Sequence, residues 1–284
     1  MDQVITRRLL LSLSLPLTAL VAFTSAVGLW YPSIYAAATP NWTFQTVGQD
    51  AIDLFVIVPM LIFSLVYARN DNRLSLVMWG GINMYLVYTF IIYCFDIRFN
   101  NLFVLYCFIL GLASFSTGMF LFKTVKDGDM LEATSFARKF IGYFFIMISV
   151  EFYFTWLSDI LPAIMEGGVP TSIHETGLFT NPVYVLDLAI FLPFVFIIGI
   201  LTLKGNSFAL NLAPMLLVFL ILMDITIAVL ALVLFRKGIE ESYSVSIVMG
   251  IHATISVAAI IILFNKTAVI NNARIWTSNQ LRGF

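Results

Sequence analysis

The chain has 284 residues, 61% of them hydrophobic and 11% charged, with a mean hydropathy of +0.97 and a formal net charge of −1. Soluble domains carry about a quarter charged residues, so the composition excludes a soluble globular domain and predicts an all-α, polytopic transmembrane bundle. Nucleic acid is excluded as a partner because phosphate recognition needs clustered Lys and Arg, and no long basic block is present.

About 20 apolar residues cross the hydrocarbon core. Taken in chain order, the sequence predicts eight spans: Arg8–Tyr31, Asp53–Ala68, Leu74–Cys94, Asn101–Phe122, Phe140–Leu161, Tyr184–Leu203, Phe208–Phe235 and Tyr243–Phe264. Arg7, Arg8 and the small pair Ser25-Ala26 mimic a signal peptide, but the apolar stretch is too long for one and is read as a retained helix. Short polar breaks such as Arg69-Asn70-Asp71-Asn72-Arg73 and Lys204-Gly205-Asn206-Ser207 predict tight hairpins. With the N-terminus inside, Arg7, Arg8, Arg69, Arg73, Lys123, Lys126, Arg138, Lys139, Lys204, Lys266, Arg274 and Arg282 all fall on the cytoplasmic side. Only Arg98, Arg236 and Lys237 fall outside, so the positive-inside rule predicts both termini in the cytoplasm. Pro32 to Gln49 and Pro162 to Pro182 then form outer loops without a basic residue. The tail around Lys266, Arg274, Trp276 and Arg282 reads as an interfacial segment near anionic lipid.

Two stretches match at a fixed distance. Asp53-Leu54 is followed by Pro59, and Asp187-Leu188 by Pro193, 134 residues later (187 − 53). Tyr31-Pro32-Ser33-Ile34 pairs with Leu161-Pro162-Ala163-Ile164 at an offset of 130, so four inserted residues restore the register before Asp187. The expectation is a duplication into residues 1–130 and 131–284, each a four-helix half of one membrane domain. Four is even, so the halves run parallel about an axis along the membrane normal.

The string Asp53-Leu54 with Pro59, Trp79-Gly80-Gly81 and Thr180-Asn181-Pro182-Val183-Tyr184-Val185-Leu186-Asp187-Leu188 resembles a family of uncharacterised prokaryotic integral membrane proteins. The resemblance implies the span count and a prokaryotic inner membrane, and carries no activity and no catalytic residue.

Asp53 and Asp187 are read as starting their helices at the outer end, where a carboxylate meets free N–H groups and the positive end of the helix dipole. Pro59 and Pro193 predict kinks, and two kinked helix starts facing each other would frame an outward pocket in which paired carboxylates bind a cation or share a proton. Asp50 and Asn181 are expected on its rim, with Tyr35 and Tyr184 close by. Asp96 and Arg98 form a second outer cluster, either an exposed ion pair or, with Arg98 turned inward, a donor to an anion. Glu151, Asp224 and His252 are ionisable groups within the predicted bilayer, costly enough to face the interior and to relay protons or knot the helices together. His174-Glu175 is a weak metal candidate without a ligand partner set. Cys94 and Cys107 read as small apolar filler, Asn83 and Asn211 as interhelical glue, and Trp30, Tyr31, Trp42 and Trp156 as an outer aromatic belt. Asn41-Trp42-Thr43 matches a glycosylation acceptor.

These residues favour a small transporter or ligand-binding membrane protein, proton- or cation-coupled, with membrane lipid, a small molecule or cation, and a second copy of itself as the expected partners. No cofactor is expected. A membrane-embedded enzyme using Asp53 and Asp187, or Glu151, Asp224 and His252, as acid and base is the alternative, although no catalytic motif supports it. A non-catalytic subunit or sensor is a third.

Overall fold

In the computed structural model the backbone is described for residues 2–67, 73–127, 133–239 and 242–281, and the side chains for 12–66, 74–122, 133–239 and 242–264. Every regular element among them is helical: α1 (Asp2–Trp30), α2 (Pro40–Ile52), α3 (Val58–Tyr67), α4 (Arg73–Phe95), α5 (Phe103–Asp127), α6 (Ser135–Met165), the short α7 (Thr171–Thr176), α8 (Pro182–Leu186), α9 (Leu192–Leu203), α10 (Ser207–Arg236) and α11 (Ser244–Leu281). A chain in hydrocarbon must satisfy each backbone N–H and C=O internally, which leaves helices as the open-ended solution. Eight are long and apolar enough to cross a membrane. We number these spans 1 (α1), 2 (α2–α3), 3 (α4), 4 (α5), 5 (α6), 6 (α8–α9), 7 (α10) and 8 (α11). The protein is a multi-pass membrane protein.

Helix starts follow local chemistry. Thr39 caps α2 by accepting from the N–H of Trp42 at 3.3 Å, Thr134 caps α6 through Ala137 at 3.2 Å, and Asn206 caps α10 through Ala209 at 3.2 Å. α7 stops at Gly177, whose φ of +68° is the left-handed conformation glycine adopts without strain. Of the basic residues used to predict orientation, Arg7, Arg8, Arg69, Arg73, Lys123, Lys126, Lys266, Arg274 and Arg282 lie outside the described side chains, as does Trp276.

Span 2 begins thirteen residues before the expected Asp53, at Pro40. The polar run Asn41, Thr46, Gln49 and Asp50 looks like a loop, yet Asn41, Thr46 and Asp50 are buried within the helix. Asn41 and Thr46 bond within the helix, to Gln45 and the Trp42 carbonyl, while Asp50 is satisfied by Tyr35 and Tyr93 from outside it.

Spans 2 and 6 share one irregularity. The helix widens to a π turn over Asp53–Ile57 and again over Asp187–Phe191, with the N–H of Val58 reaching the carbonyl of Asp53 and that of Leu192 reaching Asp187. Proline follows at once, at 59 and 193. An interior proline lacks the N–H and drives its ring into the preceding carbonyl, and a widened turn gives that ring room. In this register the missing Pro193 N–H would have served the Leu188 carbonyl, which instead accepts the Tyr153 hydroxyl at 3.0 Å.

Span 1 packs on spans 2 and 4, span 3 on spans 2 and 4, span 5 on spans 6 and 8, and span 7 on spans 6 and 8. Span 7 also lies against spans 2 and 3, and span 6 against span 3. Gly142 of α6 and Gly199 of α9 lie so close that a Cβ on either would meet the other's carbonyl oxygen at 2.9–3.0 Å, the close approach that small residues permit between membrane helices. α7 is tied to the start of α2: the Thr39 hydroxyl donates to the Thr176 carbonyl at 2.9 Å.

Candidate functional site

Most of the buried ionisable groups lie in three clusters. The first is carried by span 2. Asp50 and Asp53 are three residues apart on one span, 1% and 0% exposed. Asp50 accepts hydrogen bonds from the Tyr35 hydroxyl at 2.8 Å and the Tyr93 hydroxyl at 2.9 Å, and Tyr106 lies 3.5 Å from the Tyr35 oxygen. Gly28 of α1 makes the space: a Cβ there would overlap both the Asp50 carboxylate and the Tyr35 hydroxyl. Burial first, and then the Asp50 charge, hold the Tyr35 phenol far above its ordinary range, so it stays a donor. Asp53 Oδ1 accepts from Gln49 at 3.0 Å and Tyr85 at 3.1 Å, and Tyr85 also meets Thr226 of α10 at 3.0 Å. Asp53 Oδ2 is buried without a hydrogen-bond partner. No Lys, Arg or His forms an ion pair with either carboxylate among the described residues.

The second cluster is Asp187 at the π turn of span 6. It accepts from Tyr88 at 2.9 Å and from the Trp156 indole at 2.8 Å. Tyr85 and Tyr88 stand one helical turn apart on α4, so span 3 carries a donor to Asp53 and a donor to Asp187. The two carboxylates are therefore served from one helix without hydrogen-bonding each other. The expectation that both carboxylates start their helices is overturned: Asp53 lies thirteen residues and Asp187 five residues beyond the first residue of its span, and the caps are Thr39 and Asn181. Asn181 spends its side-chain oxygen on the N–H of Val183 at 2.9 Å.

The third cluster joins spans 5, 7 and 8. His252 Nε2 lies 3.2 Å from Glu151 Oε2, and Asp224 lies buried on span 7, which packs against span 8. Of the three residues the sequence reading grouped, the fold pairs Glu151 with His252. Asp224 Oδ2 and His252 Nδ1 are both buried without a partner. Thr226, two residues along α10, points into the first cluster, so span 7 separates the two sites.

Elsewhere the placement differs from expectation. Asp96 and Arg98 form no ion pair; Arg98 is exposed, while Asp96 is half-buried with Oδ2 unpartnered. Burial alone pushes the Asp96 carboxyl up to about 6. His174 and Glu175 are exposed on α7, and no group of three or more His, Cys, Asp or Glu is arranged to hold a metal among the described residues. Asn83 bonds the Trp79 carbonyl of its own helix at 2.7 Å and leaves its side-chain oxygen unpartnered, so it is not interhelical glue. Cys94 and Cys107 are free thiols 4.0 Å apart. Tyr184 turns to Asp159, which also accepts from Ser172 at 2.7 Å and so fastens α7 to spans 5 and 6.

Sequence reasoning missed the donors Tyr85, Tyr88, Tyr93 and Tyr106. One signal was available: on α4, Tyr85, Tyr88 and Tyr93 fall within nine residues of a span otherwise rich in aliphatic side chains, and buried tyrosines need acceptors.

Fold and site together define a polytopic helical membrane protein whose interior holds carboxylates served by neutral donors. No family model, curated protein or solved structure matches the chain, so the reading of the site rests on its own geometry.

Proposed function

We propose that the protein is a small transporter or ligand-binding membrane protein, coupled to protons or a small cation through the span 2 carboxylates. One observation carries the proposal: Asp50 and Asp53 are fully buried, side by side, with neutral partners only. Two negative charges inside a membrane domain need a counter-charge, because each unpaired buried ion costs several kcal/mol, of the order of 3 or more. A bound proton or cation supplies it, and the unpartnered Asp53 Oδ2 is an oxygen ready to receive it. Asp187, at the matching position of span 6, extends the path across span 3.

The packing pattern supports two parallel halves. Exchanging spans 1–4 for spans 5–8 turns the span 1–2, 1–4, 2–3, 3–4 and 2–7 contacts into 5–6, 5–8, 6–7, 7–8 and 6–3, all present, with the 3–7 contact at the centre. The shared π turn before proline fits the same reading. On the positive-inside rule, α7 lies on the extracytoplasmic side of an inner membrane.

The test is ion flux into proteoliposomes under imposed proton and sodium gradients. Asp53→Asn should abolish flux while the protein retains its elution profile. Flux equal to that of the wild type would remove Asp53 from the pathway.

A further inference from the structure

The chain has two cysteines, and the fold brings them together. Cys94 is the last residue but one of α4 and Cys107 the fifth of α5, thirteen positions apart across the turn that joins spans 3 and 4, and their Sγ atoms lie 4.0 Å from each other. Packing beside them holds the two helices in this register. The residue before each cysteine is a tyrosine, and the rings of Tyr93 and Tyr106 meet edge to face with centroids 5.1 Å apart. The turn itself is fixed by Asn100, whose side-chain oxygen accepts from the Leu102 N–H at 2.9 Å. Both thiols are free, Cys107 exposed and Cys94 half-buried.

A disulfide needs its sulfurs about 2.0 Å apart, and thiols already in contact close that distance by side-chain rotation. We propose that Cys94 and Cys107 form a modification site, a dithiol that an external disulfide, R–S–S–R, oxidises to an intramolecular disulfide tying span 3 to span 4. Cys107 is the attacking sulfur because it is the exposed one. As the thiolate it displaces one RS⁻ from R–S–S–R and forms a mixed disulfide; the Cys94 thiolate then attacks Cys107 Sγ and expels the second RS⁻. The two cysteine protons pass through water to the departing RS⁻ groups, and two electrons leave the pair to reduce R–S–S–R to two RSH. The new bond closes beside Tyr93, which donates to Asp50 at 2.9 Å, and beside Tyr106, which lies 3.5 Å from the Tyr35 oxygen, so it ties together the two helices that wall the Asp50 cluster. In the orientation given by the positive-inside rule this end of the bundle is extracytoplasmic, the side on which disulfides persist. The site goes beyond the ion-coupling proposal and does not depend on it.

Dithiodipyridine, an apolar disulfide that reaches thiols from water or from lipid, tests this on the reduced full-length protein in phosphatidylcholine nanodiscs. One equivalent per chain should release two equivalents of thiopyridone, and mass spectrometry of the digested protein should find a peptide linking Cys94 to Cys107, with no pyridyl adduct and full reversal by dithiothreitol. Cys94→Ser should release one thiopyridone and stop at a stable pyridyl adduct on Cys107, whereas Cys107→Ser should react about 10-fold more slowly or less, its remaining thiol being half-buried. The unfolding midpoint of the oxidised protein should equal or exceed that of the reduced protein. Two unreacted thiols, a separate adduct on each cysteine, a bond between two chains, equal rates in the two variants, or a lowered midpoint in the oxidised form, which would mean that the bond distorts α4 or α5, each overturns the proposal. Asp50 and Asp53 are intact in both variants, so failure of the disulfide to form and loss of Asp53-dependent flux are separate results.

Discussion

Tyr153 and Pro193 form a pair whose coupling can be measured. Pro193 has no N–H, and the π turn before it directs the Leu192 N–H to Asp187, leaving the Leu188 carbonyl to the Tyr153 hydroxyl at 3.0 Å. The bond faces a groove between α6 and α9 lined by Val150, Phe154, Phe196 and Ile197, where lipid supplies no replacement donor. Tyr153→Phe therefore strands the carbonyl, at about 1–3 kcal/mol. Pro193→Ala returns a backbone N–H that can close onto Leu188 in the π register or onto Ala189 in the α register. In either case the demand on Tyr153 falls. The coupling energy in a double-mutant cycle should then be about as large as the single Tyr153→Phe cost. Unfolding free energies of the four proteins in mixed micelles, titrated with a denaturing detergent, give the cycle directly. Additive effects within about 0.5 kcal/mol would refute the claim that Tyr153 replaces the proline's missing donor.

Gly28→Ala should lower the unfolding midpoint even though alanine is the better helix former by about 1 kcal/mol, because its Cβ would overlap Asp50 and Tyr35; a raised midpoint would show that this cluster has slack. Tyr88→Phe and Trp156→Phe each remove one of two donors to Asp187, so each should cost about 1.5–3 kcal/mol, and in an Asp187→Asn background those costs should shrink in the same detergent titration. For Asp96, burial raises the folded-state value to about 6, above the ordinary carboxylate value near 4. The folded protein thus binds more protons than the unfolded chain between these values, and stability should fall as pH rises from about 4 through 6 and then level off. Midpoints measured across that range should show this step in the wild type and not in Asp96→Asn.

The spans were legible because hydrocarbon imposes one rule, long apolar runs, and the Asp-Leu to Pro spacing marked both places where the helix widens. What the widening does was not legible. A carboxylate six residues before a proline reads equally well as a helix start, and the start at Pro40 is hidden because Gln49 and Asp50 look like loop. Those residues are accommodated in the helix because Tyr35 and Tyr93 donate to Asp50 and Tyr85 accepts from the Gln49 amide, all from other elements, and pairings between residues 15 to 43 positions apart leave no local trace. Trp156 shows the same limit. It reads as an interfacial aromatic, and only the fold shows its indole turned inward to Asp187. Asn83 errs in the opposite sense, since an amide in a membrane helix suggests a partner across the bundle and this one bonds its own backbone.

Under the proposed duplication, positions shared by the halves and positions that differ sort into separate roles. Asp53 and Asp187, with their leucines and prolines, recur and build the same π turn, so their retention is explained by backbone geometry as well as by chemistry. The other acids do not recur. At the offsets of 130 and 134, Glu151 aligns with Val21, Asp224 with Phe90, His252 with Gly118, and Asp50 with Tyr184. Val21 and Phe90 are buried core, so the first half closes with apolar packing the seam that the second half lines with charge, and the second half replaces an acid with a phenol where the first half pairs Asp50 with Asp53. Two equivalent sites exchanging one ion across the axis would need matching acids in both halves. The observed division instead leaves the Asp50–Asp53 pair and the Glu151–His252 pair as separate polar groups without counterparts in the other half, with span 7 between them.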